Sequence, residues 1–113
     1  MLEQGDILLI PVPFTDLSSQ KRRPVVVISN NDYNNKRQDI IVVAMTSNPS
    51  EDDYSFMVEN ADLLKGVLKR PSRIRVDKIY TLSQAIAVHN FGAVKTETLE
   101  RIRMMLQALV AAE

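Results

Sequence analysis

The 113-residue chain has no cysteine and only one histidine, His89. Without cysteine there is no disulfide framework and no thiolate metal site. No apolar run approaches the ~18 residues that cross a bilayer as a helix. Met1-Leu2-Glu3-Gln4 lacks the basic start and apolar core of a secretion signal. A glycine-rich nucleotide loop is missing too, as is a Ser-His-Asp order. The one run of carboxylates, Glu51-Asp52-Asp53, has no histidine near it in the sequence, and it reads as a solvated turn rather than a metal site. These absences leave a single soluble cytoplasmic domain over residues 1–113, with no metal, no cofactor and no membrane contact as the expectation.

Net charge is also missing, because 14 basic residues cancel 14 acidic ones. A neutral chain is not built to coat nucleic acid indiscriminately. The cancellation is uneven along the chain. Residues 1–64 carry five cations against ten anions, whereas residues 65–78 carry six cations (Lys65, Lys69, Arg70, Arg73, Arg75 and Lys78) against Asp77 alone. One dense basic segment on a neutral protein focuses a local field on an anionic ligand, although exposed loops are also commonly basic.

The residues that are present read mostly as short strands. Ile7–Val12 is a β-rich run among Pro11 and Pro13, followed by a polar loop over residues 13–23, PFTDLSSQKRR. Val25–Ile28 is a β-branched run of the kind buried on both faces. Asn30–Asn35 favours a turn or a single helical turn. Ile40–Met45 is a third strand and Tyr54–Val58 a weaker fourth. Gly66 and Pro71 forbid a long element between them. Residues 72–76, SRIRV, alternate as a strand does, and residues 85–88 fit either a strand or a short helix. Thr96 is placed as the N-cap of a closing helix with Glu97 in its first turn. Leu99, Ile102, Leu106, Leu109 and Val110 then form one stripe that packs on the sheet. Short strands followed by one helix imply a mainly β, α+β fold: a strongly curved antiparallel sheet or partly open barrel.

Two stretches carry chemistry. In KRRPVVVIS, Lys21, Arg22 and Arg23 abut a buried strand, and Pro24 fixes the backbone beside them. In Arg73-Ile74-Arg75-Val76-Asp77, alternation sends Ile74 and Val76 to one face and two guanidiniums with a carboxylate to the other. Lys78 and Ile79 break the phase, which marks a bulge or an end. Such a row is either a surface ion pair of little energetic value, ~0–1 kcal/mol, or an anion site with an acid–base partner. Arginine forks onto phosphate oxygens, and a carboxylate held nearby can take the proton of a ribose 2′-hydroxyl.

Several segments together resemble the MazF/PemK/Kid endoribonucleases of type II toxin–antitoxin pairs, most closely the PemK-like branch. They are Gly5-Asp6, PVPFTD (Pro11–Asp16), RRPVVVIS (Arg22–Ser29), VVAMTS (Val42–Ser47) and LKRPSRIRVDKIYTL (Leu68–Leu82), in the family's order across nearly the whole chain. The resemblance implies a small SH3-like or CcdB-like antiparallel barrel with a C-terminal helix, assembled as a homodimer. It implies sequence-specific, metal-independent cutting of single-stranded RNA and a cognate antitoxin protein that blocks the RNA groove. It places the family's arginine before the proline of the second strand on Arg23, its strand-end threonine on Thr46 with Ser47 beside it, and its Arg-x-Asp pair on Arg75 and Asp77. One departure is plain: some relatives carry a histidine in the loop before the second strand, and residues 13–22 here have none.

On that reading the 2′-hydroxyl attacks its own phosphorus, giving a 2′,3′-cyclic phosphate and expelling the 5′-oxygen. Asp77 is the candidate base, Arg75 and Arg23 hold the charge on phosphorus, and Thr46 orients the phosphate. Lys21, Arg22, Ser47, Arg73 and Lys78 are candidate backbone contacts. Ser18, Ser19 and Gln20 are candidate readers of base edges, and Phe14 is a candidate stacking partner. The rival from another class is a non-catalytic RNA- or protein-binding module on the same barrel, as in CcdB. Against the protein-binding form, the terminal helix lacks the aromatic anchors typical of interface hot spots.

Overall fold

The computed structural model describes residues 2–12, 21–48, 53–87 and 89–113. Seven strands form one antiparallel sheet: β1 Asp6–Val12, β2 Lys21–Val27, β3 Asp39–Thr46, β4 Ser55–Val58, β5 Leu63–Gly66, β6 Ser72–Ser83 and β7 His89–Val94. The sheet order is β4-β6-β3-β2-β1-β7-β5. A short helix, α1 Asn31–Lys36, bridges β2 and β3, and α2 Thr96–Leu109 closes the chain. The sheet curls into a half-barrel, as expected of a strongly curved antiparallel sheet.

Side chains alternate across the strands and build a core on each face. On one face Ile7, Val26, Val43, Met45, Ile74, Val76 and Phe56 pack beneath α2, which contributes buried Ile102 and half-buried Leu99 and Leu106. On the other, Leu8, Ile10, Val25, Val27, Ile40 and Val42 gather with Leu2, Tyr80 and Leu82. Each such side chain is worth ~1.5–3 kcal/mol on burial, so both faces hold the central strands fast. Gly5 links three strands: at φ +94° its N–H donates to Val27 O (2.8 Å), and its carbonyl accepts from Val94 N (2.9 Å). Buried Asp6 completes this corner, accepting from Glu3 N at 2.8 Å and Asn90 Nδ2 at 3.0 Å. The Gly5-Asp6 motif is therefore structural.

Several boundaries differ from those read in the sequence. β2 begins at Lys21, so Lys21–Arg23 belong to a strand and not to the preceding loop. They pair with Val12, Pro11 and Ile10 of β1, and that pairing overrides their polarity. β6 runs twelve residues, to Ser83, instead of ending near Val76. The phase break is a bulge within it: Ala44 pairs with Arg75 but the adjacent Val43 pairs with Ile79. Gln84–Ile86 is a 3₁₀ turn and β7 follows from His89. Lys95, not Thr96, occupies the N-cap position, without a side-chain cap; Thr98 instead donates its hydroxyl to Asp62 O at 3.2 Å. Val110 lies past the helix end and is exposed, so it leaves the apolar stripe.

Candidate functional site

β2 and β3 pair from Val27↔Val42 to Val25↔Ala44, and there the ladder stops. The next residue, Pro24, brings no N–H. From Pro24 back to Lys21, β2 pairs with β1, while β3 continues along β6 as far as Thr46↔Arg73. The two strands part, and a cleft of about 260 Å³ opens between them. It is lined by Arg22, Arg23 and Pro24 on one side, by Met45, Thr46 and Ser47 on the other, and by Ser72.

Continuing the β2–β3 register across the gap brings Arg23 level with Thr46. Thr46 pairs with Arg73, and Arg73 with Met57. Paired residues point to the same face, so these four form a transverse row. The next row on that face holds Val25, Ala44, Arg75 and Ser55. Arg23 and Arg75 therefore lie on one side of the sheet, with the Arg23 and Arg73 backbones about two strand spacings, ~10 Å, apart.

The cations differ in surroundings. Arg22 and Arg23 are exposed, and among the described residues neither has an ion-pair partner. Arg73 is only 8% exposed; its Nη1 donates to Ser55 Oγ at 3.0 Å, and its Nε has no partner among the described residues. A neutral hydroxyl does not offset a buried guanidinium, and an unmade buried hydrogen bond costs ~1–3 kcal/mol. Arg75 grips Asp77 through Nε–Oδ1 (3.0 Å) and Nη2–Oδ2 (2.9 Å), with both side chains 28% exposed. Asp77 lies in the bulge, where β6 leaves the β3 ladder. The Arg75 hydrogen bonds hold the Asp77 carboxyl below its ordinary value of 3.8, against partial burial that pushes it up. Thr46 Oγ1 accepts from Asn48 N at 3.1 Å, a bond that leaves the hydroxyl hydrogen free to donate.

The structure thus brings Arg22, Arg23, Thr46 and Ser47 to one cleft, with Arg73 and the Arg75–Asp77 couple beside it. Lys21 opens β2, and Lys78 is exposed in the bulge. Phe14, Ser18, Ser19 and Gln20 lie outside the described residues. His89 is exposed on β7. Sequence reasoning missed Ser72 in the cleft and Ser55 as the Arg73 partner, since only cross-strand pairing places them there. Among the described residues no group of three His, Asp or Glu side chains gathers as a metal site would require.

Residues 3–110 match the PemK-like, MazF-like toxins of type II toxin–antitoxin systems. The chain belongs to this family. No curated protein matches it in sequence. Among solved structures, the chain is similar to an endoribonuclease in complex with its cognate antitoxin from a mycobacterial species, at TM-score 0.80 and 16% identity, covering 100% of both chains. It is similar to the MazF of a MazE–MazF complex from Deinococcus radiodurans, at TM-score 0.77 and 18% identity, covering 99% of this chain and 98% of the other. It is also similar to the toxin MazF-mt6 of Mycobacterium tuberculosis, at TM-score 0.72 and 16% identity, covering 91% and 93%. At these identities the likeness is one of fold, and it makes the half-barrel with its closing helix that of the MazF-like toxins.

Proposed function

We propose that this chain is the toxin of a toxin–antitoxin pair: an endoribonuclease that cuts single-stranded RNA at a short preferred sequence without a metal. The observation that carries the reading is the split in the β2–β3 seam, which sets Arg23 level with Thr46, in one row with buried Arg73, which has no counter-ion among the described residues. A site that presents arginines and a donor hydroxyl, and tolerates an unneutralised buried cation, is built for an anion.

A phosphate seated at the cleft accepts hydrogen bonds from Arg23 and the Thr46 hydroxyl. Asp77 takes the proton of the 2′-hydroxyl, O2′ forms its bond to phosphorus, and the bond to the 5′-oxygen breaks. The products are a 2′,3′-cyclic phosphate and a 5′-hydroxyl. Magnitudes rank the contributions. A base works best with a pKa near the ambient pH, where proton transfer contributes ~10²–10⁴-fold. Asp77 is held below 3.8, so it is always ionised near neutrality but intrinsically weak. Preset donors contribute ~3 kcal/mol each on developing charge, so the guanidiniums dominate. Arginine, with a pKa above ~12, is a poor acid, and water is the simplest proton source for the leaving oxygen. Lys21, Arg22, Ser47, Arg73 and Lys78 hold the flanking backbone, Ser18, Ser19 and Gln20 read base edges, and Phe14 stacks. The protein works as a cytoplasmic homodimer, and its antitoxin blocks the same surface.

The test is incubation with a long single-stranded RNA in excess EDTA, followed by mapping of the new ends. Cuts at a recurring short word, with cyclic phosphate on the upstream fragment, support the reading; intact RNA, or cutting abolished by the chelator, overturns it. A second reading follows from the depressed Asp77 and the absence of any imidazole at the cleft: a non-catalytic RNA binder on the same barrel. Salt-dependent binding of the same RNA with no cleavage would establish it.

A further inference from the structure

The same two N–H groups of Arg75 are wanted in two places. In the structure Nε and Nη2 fork onto the two oxygens of Asp77, at 3.0 and 2.9 Å. A carboxylate that accepts two charge-assisted hydrogen bonds is a poor proton acceptor, because protonation must displace one of them. Little else near Asp77 replaces the fork. Among the described residues the other cation acting on it is Lys78, which is exposed. β4 has no ionisable residue, and Asp39, the one in β3, lies opposite Ser83 at the far end of the ladder. α2 packs on the opposite face, over Ile74 and Val76. The base named in the reaction is therefore held quiet by one side chain.

That side chain has a second anion within reach. Ala44 pairs with Arg75 and Thr46 with Arg73, in a regular stretch of the β3–β6 ladder. Arg75 is thus the diagonal neighbour of Thr46 on one face, ~7–8 Å away at Cα, a span that long side chains cover. Arg73 already makes a reach of this kind: it pairs with Met57 but donates to Ser55, two residues along β4. A swing of that length carries the Arg75 fork to a phosphate oriented by Thr46. The flow of charge favours the swing. Asp77 loses its negative charge as it takes the 2′ proton, and the oxygens on phosphorus gain one as O2′ forms its bond. A guanidinium that follows the charge exchanges a weakening fork for a strengthening one, and so holds the transition state more tightly than the ground state.

We propose that Arg75 is a shared clamp: it grips Asp77 in the free protein and passes to the phosphate of bound RNA, so that the substrate releases its own base. The proposal rests on reading the cleft as an RNA site. It gives the Arg75–Asp77 couple an order of events, with Asp77 restrained until RNA is seated.

The test is a double-mutant cycle at pH 7, read by fluorescence anisotropy. The probe is a labelled 2′-O-methyl strand that carries the cut site mapped for the parent protein and cannot be cleaved. Removing the Asp77 charge frees the clamp before RNA arrives. Asp77→Asn should therefore bind the strand about fivefold more tightly than the parent, the equivalent of ~1 kcal/mol for a part-exposed pair. In the Arg75→Ala background the same substitution should change affinity by less than about twofold. Arg75→Gln takes the place of Arg75→Ala if the latter fails to fold. Equal tightening in both backgrounds would mean plain repulsion between Asp77 and the strand, and would overturn the clamp. So would an unchanged affinity of Asp77→Asn in the parent background, because Arg75 would then stay where it is. Either result, with a parent that cuts RNA, leaves the nuclease standing. A parent that neither cuts nor binds RNA overturns the nuclease reading and this proposal with it.

Discussion

The two ends of the β2–β3 seam are built from neighbouring residues and do opposite things. At the closed end Val25–Val27 and Val42–Ala44 are ladder partners, and Val26, Val27, Val42 and Val43 are fully buried. At the open end, beginning one residue away at Pro24, the strands separate and line their gap with arginine, threonine and serine. The closed end supplies stability and rigidity; the open end presents polar groups that stability alone would not select. The closed end also explains the precision available at the open end, because side chains on a strand pinned by two cores have little freedom at their root.

The sharpest break of this contrast is Arg23→Ala. RNA cutting should fall at least hundredfold, on the order of 3 kcal/mol of transition-state stabilisation, while the melting temperature stays within about 1 °C because the side chain is exposed. Next is the opposite lesion at the closed end. Val26→Ala removes two buried methyl groups and should cost ~2 kcal/mol, lowering the melting temperature by roughly 8 °C. Cutting per folded molecule, measured well below the transition, should be unchanged. If Val26→Ala instead cripples cutting at full folding, the two ends are not separable.

Arg73 stands between the two. Arg73→Met replaces a buried, incompletely hydrogen-bonded cation with an apolar chain of similar length. It should raise stability by ~1 kcal/mol, read as a gain of about 4 °C in melting, and weaken cutting roughly tenfold. A drop in melting temperature would show that Arg73 is structural. The smallest effect concerns Asp77. Because Arg75 depresses its folded pKa, the pair contributes stability above the ordinary carboxylate value of 3.8 and loses it as pH falls through the lower folded value. Denaturant titration should find Asp77→Asn no more than ~1 kcal/mol less stable than the parent at pH 7, with the gap closing as the pH falls below the ordinary carboxylate value of 3.8. A gap that widens on acidification would contradict the sign of the shift.

Much of this was legible in the sequence. The β-branched runs announced the central strands, and the apolar spacing announced α2. The phase break at Lys78 and Ile79 marked a bulge or an end, and the β3 pairing shows it to be a bulge. The MazF-like segments pointed to the family that the whole-chain match and the fold then bore out. What stayed hidden depended on partners far along the chain. Lys21–Arg23 look like loop until Ile10–Val12 are laid beside them. Leu63–Gly66 is a strand only because Gly66 and Gly92 let two backbones close up. The alternation placed Arg73 on a polar face, but nothing local said that Ser55 would bury it.

The amino-acid order by itself determined which segments extend, which face of each is apolar, and that arginines would stand beside a proline at the start of a buried strand. Those properties follow from the backbone and side chain of each residue and its near neighbours. Only the tertiary structure decided that β2 and β3 part at Pro24, that Arg23, Thr46 and Arg73 share one row, and that the Asp77 carboxylate is gripped by Arg75. Those are matters of cross-strand register, and register is fixed by the joint burial of two cores, to which no short segment contributes enough to choose it alone.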